Sequence, residues 1–216
     1  QKQPQYWTDG GADHLWDTVE NWSLGSEPDI LTATTVKYTD ANLSGPLIDS
    51  SVTAICASLD LADLGGTGST CDMNMTGGTL DIENSFTIGV EANDVGTVYL
   101  SSGTIDVNTG TFNSGENGTA TFNMTGGTIN VNQDYFNIPL GTGTGTFNLH
   151  GGTVNAADFS MSKYEGTGNF DFEQEGTLVL DGDYEVKIEG YANNGWMTSY
   201  SGSGSVAVSF DETTGL

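Results

Sequence analysis

The sequence predicts an all-β protein, a right-handed parallel β-helix (β-solenoid) of about 24–25 residues per turn that is capped at both ends. First, a Gly-Thr pair returns at a nearly constant spacing. Its threonines, 25, 24, 25 and 24 residues apart, are Thr79, Thr104, Thr128, Thr153 and Thr177. Second, apolar and polar residues alternate between these markers, which predicts strands with one buried face. Third, no segment shows a helical period. An antiparallel sandwich is the alternative, but its strands would not need so constant a period.

Aligning the repeats predicts three short strands per turn, each stacked on its equivalent one turn away. One turn cannot bury its own apolar face, so at least three must stack, about 4.8 Å apart. The third strand contributes an aromatic column made of Phe86, Phe112, Phe136, Phe159 and Tyr184. Glycines at the corners suit sharp bends, because a positive φ costs glycine little.

We divide the single structural domain into an N-terminal cap (1–50), the β-helix turns (51–185) and C-terminal capping strands (186–216). The ends of a solenoid expose strand edges and core, so both ends need a cover. Three of the four tryptophans lie in the first segment. The last segment contains Trp196 and an alternating stretch, Val206–Phe210, that predicts a strand.

Charge excludes several classes of partner. Lys and Arg number 4 against 29 Asp and Glu, which gives a net charge of −25. Binding to nucleic acid needs clustered basic side chains, and so does binding to an anionic membrane surface. We therefore expect no nucleic-acid partner, and the absence of a long apolar run predicts no membrane insertion.

Three segments carry a family resemblance. Residues 16–23 read WDTVENWS and are followed by Pro28, residues 118–131 read GTATFNMTGGTINV, and residues 195–200 read GWMTSY. In this order they resemble the secreted β-helix repeat proteins of planctomycete-type bacteria that carry a PEP-CTERM sorting signal. The middle segment is also similar to autotransporter passenger repeats. The resemblance implies export to the cell surface or an extracellular matrix, and it supplies no catalytic residues. The Pro-Glu-Pro signal itself does not occur in the sequence.

Catalytic constellations are weak. The one acid/base neighbourhood is His150 with Lys163 and Tyr164, and the explanation we favour for it is a solvated lysine at a turn beside an outward histidine. Glycoside hydrolysis needs two carboxylates about 5–10 Å apart. With 29 acidic residues, such pairs arise by chance. We therefore expect a protein that is not an enzyme.

Outward columns of the second strand offer oxygen ligands. The sequence requires no cofactor, and Ca²⁺ is the ion that such columns could bind, because calcium prefers carboxylate and carbonyl oxygens. The candidate ligands are Asp81, Glu83, Asp106 and Asp181. The alternative is structural, since Asn and Thr side chains in neighbouring turns hydrogen-bond to one another along a stack.

Candidate glycan-binding residues fall into two groups. The four tryptophans, Trp7, Trp16, Trp22 and Trp196, could stack on sugar rings, although burial in the caps is the commoner use of indole. The amides of Asn123 and Asn148, on the outer face of the first strand, could bind glycan hydroxyls.

The two cysteines, Cys56 and Cys71, are predicted to form a disulfide, because export exposes thiols to oxidants.

Taken together, the sequence favours a non-catalytic extracellular surface or matrix protein with a structural or adhesive role. Its partners would be polysaccharide or copies of itself. A carbohydrate-binding module for neutral glycans is the first alternative, and a polysaccharide-degrading β-helix enzyme is the second.

Overall fold

The computed structural model describes residues 2–37, 44–64, 68–162, 164–173 and 175–209. The chain winds as a parallel β-helix of about 7 turns, which confirms the predicted fold class. Strands account for 49% of the residues and helices for 6%, so the fold rests on strand stacking.

The strands are short and follow one another closely. In chain order they are β1 (Gln5–Tyr6), β2 (Ala33–Val36), β3 (Leu47–Ile48), β4 (Thr53–Cys56), β5 (Ser58–Leu61), β6 (Thr70–Ile82), β7 (Phe86–Ile88), β8 (Val95–Val107), β9 (Phe112–Ser114), β10 (Thr119–Met124), β11 (Thr128–Ile138), β12 (Thr144–Leu149), β13 (Thr153–Met161), β14 (Thr167–Phe172), β15 (Thr177–Leu180) and β16 (Met197–Ser199). A 3₁₀ turn covers Val19–Asn21, and one helix, α1, covers Glu185–Asn193.

Each turn contributes to three parallel sheets. Sheet I stacks β3, the first halves of β6 and β8, then β10, β12, β14 and β16. Sheet II stacks β4, the second halves of β6 and β8, the first halves of β11 and β13, and β15. Sheet III stacks β1, β2, β5, β7, β9 and the second halves of β11 and β13. Strands β1 to β3 therefore already pair with the solenoid from within the segment assigned to the N-terminal cap.

The core is a set of side-chain columns that run along the solenoid axis. In sheet III, Phe112 stacks on Phe136 with ring centroids 4.6 Å apart, and Phe136 stacks on Phe159 at 5.8 Å. In sheet I, Phe122 stacks on Phe147 at 4.8 Å. All five rings are fully buried. The predicted inward phase of the strands is thus confirmed, and the hydrophobic effect holds the turns together through continuous apolar columns.

A glycine turns the chain from sheet I to sheet II in successive coils. Gly127 has φ = 85°, a conformation that side chains with a Cβ rarely adopt. A Cβ there would lie 2.7 Å from the carbonyl oxygen of Gly103, its equivalent one coil earlier. The Gly-Thr repeat in the sequence therefore records a corner where both the backbone angle and the close approach of coils require glycine.

The C-terminal end differs from the prediction. Tyr184 was expected as the last rung of the aromatic column, but it immediately precedes α1, and its hydroxyl donates to the Ala157 carbonyl at 3.1 Å. Helix α1 was not predicted, because no segment of the sequence shows a helical period. The strand expected at Val206–Phe210 is not formed over residues 205–209, which pair with no strand, while Phe210 lies outside the described residues.

The predicted disulfide is wrong. Cys56 and Cys71 are not bonded to each other, and both are buried thiols. Cys56 ends β4 opposite Ile82 in sheet II, whereas Cys71 is the second residue of β6, in its sheet I half, opposite Gly96. The two residues occupy different phases of the coil, so their side chains enter different columns of the core. Burial raises the pKa of the Cys56 thiol, which keeps it protonated and unreactive.

Candidate functional site

The outer surface of sheet I, which we call face I, is a broad ladder of polar side chains. Its central column consists of Asn74, Tyr99, Asn123, Asn148, Asp171 and Thr198, each one coil above the last. A parallel column on the same face consists of Asp72, Thr97, Thr121, Thr146 and Asn169. These residues point outward because strand side chains alternate, and the intervening positions fill the core.

Face I combines hydrogen-bonding amides with two exposed aromatic rings. The Asn148 amide donates to the Asn123 side-chain oxygen at 2.8 Å. Tyr99 is 48% exposed in the same column. Trp196 is 38% exposed, immediately precedes β16 and stacks on Tyr191 with ring centroids 5.9 Å apart. Three of the predicted glycan-binding residues, Asn123, Asn148 and Trp196, therefore belong to sheet I or flank it.

The other three tryptophans cannot stack on a sugar. Trp7, Trp16 and Trp22 are at most 3% exposed. Trp22 packs edge-on against both of its partners, at 5.0 Å from Trp7 and 4.7 Å from Trp16. Its indole N–H donates to the Trp16 carbonyl at 2.7 Å. Their glycan-binding assignment is therefore corrected: these indoles seal the N-terminal end of the core.

The predicted calcium ligands on sheet II do not converge. Asp81 and Asp106 are opposite one another in adjacent coils, as predicted. Each accepts a side-chain amide hydrogen bond, from Asn108 at 2.6 Å and from Asn130 at 2.7 Å. Their column continues upward through Asn130 and Asn155, which are bonded at 2.8 Å. The surface is thus an amide ladder of the structural kind.

Glu83 and Asp181 are separated along the next column. They occupy its two ends, and the coils that carry Asn108 and Asn132 lie between them. A single ion therefore cannot bind both carboxylates together with Asp81 and Asp106. In the part of the chain that the structure describes, none of these four residues belongs to a group of three side chains with metal-binding spacing.

A different ligand set occurs where face I meets the C-terminal cap. His150 Nε2 lies 3.9 Å from Asp171 Oδ2, and His150 Nδ1 lies 3.7 Å from Glu173 Oε2. Asp171 is 4% exposed, although it belongs to an outward column, because residues 198–201 fold over it. Thr198 Oγ1 donates to its carboxylate at 2.6 Å, and the Ser201 backbone N–H donates at 3.0 Å. Lys163, the predicted neighbour of His150, lies outside the described residues.

A second acidic group lies on and beside sheet III. Burial, and then the nearby carboxylates of Asp63 and Glu116, raise the pKa of Asp60 to about 6. Burial and the charges of Glu91 and Asp63 raise the pKa of Glu116 as well. Carboxyl groups with raised pKa values are features of catalytic acids, but Asp60 and Glu116 line neither the C-terminal groove nor the smaller pocket beside Asp181.

A concave surface lies at the C-terminal end of the solenoid. It is a groove of about 600 Å³ whose apolar lining includes Phe172, Leu178, Leu180, Ile188 and Val206. Apart from Ile188, these side chains are only half-buried. The groove lies at the end of the core, and its lining also includes the polar residues Thr177, Glu185 and Ser199.

Comparisons with known proteins return no match: no family model, no curated protein and no solved structure aligns significantly with the chain. Among the described residues, no helix has the length and hydrophobicity needed to span a bilayer. The candidate sites therefore rest on geometry alone. Sequence reasoning missed the grouping of His150 with Asp171 and Glu173, although His150 and Glu173 follow equivalent strands one coil apart.

Proposed function

We propose that the protein is a non-catalytic extracellular β-solenoid, a surface or matrix component with a structural or adhesive role. The observation that carries the proposal is the chemistry of its outer faces. On sheets I and II the polar side chains bond to their equivalents in adjacent coils, as Asn148 does to Asn123 and Asn155 to Asn130. Such ladders extend along the axis and reinforce the stack, whereas a catalytic site needs groups that converge on one reacting atom.

Charge supports an extracellular, adhesive role toward a neutral partner. The net charge of −25 keeps a secreted chain soluble and repels polyanions. The described lysines are already engaged: Lys2 with Asp29, Lys187 with Asp158 at 2.9 Å, and Lys37 over the Tyr6 ring at 4.5 Å. The partners compatible with this surface are a neutral polysaccharide or, in the presence of salt, another copy of the chain.

The structural role is tested by electron microscopy and sedimentation velocity of the purified protein. Both are run over a concentration series at low salt and at physiological ionic strength, where the Debye length falls to about 8 Å. Filaments, layers or a concentration-dependent increase in sedimentation coefficient would support self-assembly. A monomer that co-sediments with an insoluble neutral polysaccharide would support adhesion. Release of reducing sugar from that polysaccharide would contradict the non-catalytic assignment.

A second candidate function, binding of soluble neutral glycans, is favoured by the aromatic rings of face I. Tyr99 occupies the central column, one coil below Asn123 and two below Asn148. Aromatic faces stack on the apolar side of sugar rings, and neighbouring amides can bond to their hydroxyls. Face I thus provides both contacts along an extended line, which fits a chain rather than a single sugar.

Affinity electrophoresis separates this candidate from a purely structural role. We expect a glycan that retards the wild type to retard Tyr99→Ala much less. The matched control is Tyr6→Ala, another partly exposed tyrosine, which lies on sheet III. Equal retardation of the two variants would contradict glycan binding at face I. If no glycan changes the mobility of the wild type or of either variant, only the structural role remains.

A further inference from the structure

The group of His150, Asp171 and Glu173 is assembled by stacking. His150 directly follows β12, and Glu173 directly follows β14, the next strand of sheet I. Their backbone N–H groups donate to equivalent carbonyls, those of Met124 and Leu149. Glu173 is therefore one coil above His150, and Asp171 stands diagonally to His150 in the adjacent column. Three potential ligands from two coils meet at one corner of the solenoid.

The spacing suits an ion better than it suits hydrogen bonds. The nitrogen-to-oxygen distances of 3.9 and 3.7 Å are too long for hydrogen bonds. One ligand atom from each residue lies within 4.8 Å of the other two. With bonds of about 2.0–2.2 Å, the ligands of a tetrahedral zinc site stand about 3.4 Å apart. Small rotations of the side chains, two of which are partly exposed, would shorten the separations of up to 4.8 Å to this ligand spacing.

Two further features point to a ligand at this corner. His150 Nε2 is a buried atom that has no hydrogen-bond partner, and it faces Asp171. A buried polar atom of this kind is costly unless something satisfies it. In addition, Thr198 and Ser201 hold the nine-tenths buried Asp171 carboxylate in place. Hydrogen bonds that orient a ligating carboxylate are the usual outer shell of a metal site.

We propose that His150, Asp171 and Glu173 bind a divalent transition metal ion of the zinc class. An imidazole nitrogen with two carboxylate oxygens matches the ligand preference of zinc, whereas calcium takes six to eight oxygens and no nitrogen. Each residue supplies one ligand atom, and water occupies the remaining position, because His150 and Glu173 are partly exposed to solvent. Among the described residues, this is the one group of three side chains with such spacing.

The bound ion would fasten the C-terminal cap to the last coils. Asp171 already connects to the cap through Thr198 and Ser201, and the ion connects the same carboxylate to His150 in the coil below. Metal binding to the folded chain then stabilises this end by mass action. The site is independent of the proposed adhesive function, since it requires neither a glycan nor self-assembly.

The test is isothermal titration of the chelator-treated full chain with ZnCl₂, and separately with CaCl₂, in buffered NaCl. We expect one zinc ion to bind per chain, calcium to bind far more weakly at this site, and zinc to raise the melting temperature. His150→Gln should weaken zinc binding by at least about tenfold, a loss comparable to or larger than that from removing an outer-shell group. Glu173→Gln, at a partly exposed position, should weaken it as well while preserving the fold.

The matched control is His14→Gln. His14 is the other histidine of the chain and contacts Asp9 in the N-terminal segment, so it reports adventitious binding by a histidine beside an acid. Hydrogen exchange with and without zinc gives a second measurement, and added protection should centre on residues 198–201. Zinc affinity unchanged in His150→Gln, equal losses in both histidine variants, or calcium binding as tight as zinc binding would each overturn the proposal.

Discussion

The two ends of the solenoid are closed in different ways. At the N-terminal end, Trp7, Trp16 and Trp22 form a continuous edge-to-face cluster that is at most 3% exposed. At the C-terminal end, Leu178 and Leu180 of the last sheet II strand remain half-buried beside the groove. A solenoid end is sealed when bulky side chains are directed into the last coil, and a segment that merely lies over it leaves apolar surface exposed.

The C-terminal cover is uneven across the three sheets. Strand β16 extends sheet I by a further rung. Tyr191 of α1 packs on Phe159 at 5.9 Å and accepts a hydrogen bond from the Met161 N–H, which covers sheet III. Strand β15 of sheet II pairs with β13 on one side, and residues 205–209 line the other side without joining the ladder. The weakly covered part of the core is thus the end of sheet II.

The largest expected effect is at the N-terminal cluster. Trp22→Ala removes the ring that contacts both other indoles, and it leaves a cavity in the sealed end. Truncation of a buried aromatic side chain costs about 3–5 kcal/mol of unfolding free energy. Urea unfolding followed by circular dichroism measures the loss. The control is Trp196→Ala at the opposite end, where partial exposure predicts a loss of about 1 kcal/mol. Equal losses would mean that the two ends are sealed equally well.

The next comparison sets the middle of the core against its C-terminal end. Phe136 is fully buried between Phe112 and Phe159, so Phe136→Ala should cost about 3–5 kcal/mol. Leu178→Ala deletes a half-buried side chain and should cost about 1–2 kcal/mol, below the range for buried leucine. Asn123→Ala on face I should stay near 1 kcal/mol, the value of one hydrogen bond. A Leu178 loss as large as that of Phe136 would show that the end of sheet II is sealed as well as the middle of the core.

The fold was predictable because two independent periods coincide in the sequence. Alternation identifies the inward residue of each strand, and the 24–25-residue recurrence places Phe122, Phe147 and Phe170 in one column. The recurrence stops after Leu180, and the later alternation at Val206–Phe210 forms no strand over residues 205–209. Helix α1 was missed because Ile188 is its one buried residue, so it presents no apolar stripe. Tyr184 was misplaced because the repeat was extended past the last coil.

The candidate site was less predictable than the fold. His150 and Asp171 appear in the sequence as interruptions of regular polar columns, and neither belongs to a recognisable metal motif. Their proximity depends on register between adjacent coils and on the cap that buries Asp171, which no single repeat encodes. The buried tryptophans show the converse limit: composition indicates that an aromatic residue is in a cap, but the direction of its ring is set by tertiary packing.

A carboxylate near the N-terminal end is expected to make stability depend on pH. The pKa of Asp60 is raised from 3.8 to about 6 in the folded chain, so the folded state holds this proton more tightly than the unfolded state. Stability should therefore fall as pH rises from about 4 through about 6. Asp60→Asn removes this dependence and should stabilise the protein by ~1–3 kcal/mol at pH 7, with little difference near pH 4.

Urea unfolding at pH 4, 5, 6 and 7 measures this effect. Asp181→Asn is the control, because Asp181 is exposed at the opposite end and its change should stay within about 0.5 kcal/mol at every pH. Parallel pH profiles for the wild type and Asp60→Asn would contradict the assignment of the slope to Asp60.

The smallest expected effect concerns the outer column of sheet II, which is acidic toward the N-terminal end and amide toward the C-terminal end. Asp81 and Asp106 are directly opposite, and like charges there destabilise a sheet by about 0.2–1 kcal/mol. Asp106→Asn removes the repulsion and extends the Asn130–Asn155 ladder downward, so it should raise the melting temperature at low salt. The gain should disappear in 1 M NaCl, where the Debye length of about 3 Å is shorter than the coil spacing. A gain that persists at high salt would belong to the new hydrogen bond rather than to charge.

If this pair also binds calcium, as the sequence predicts, CaCl₂ stabilises the wild type more than NaCl of equal ionic strength, and Asp106→Asn loses that advantage. Equal midpoints in the two salts would reject calcium at this pair while leaving the repulsion argument intact.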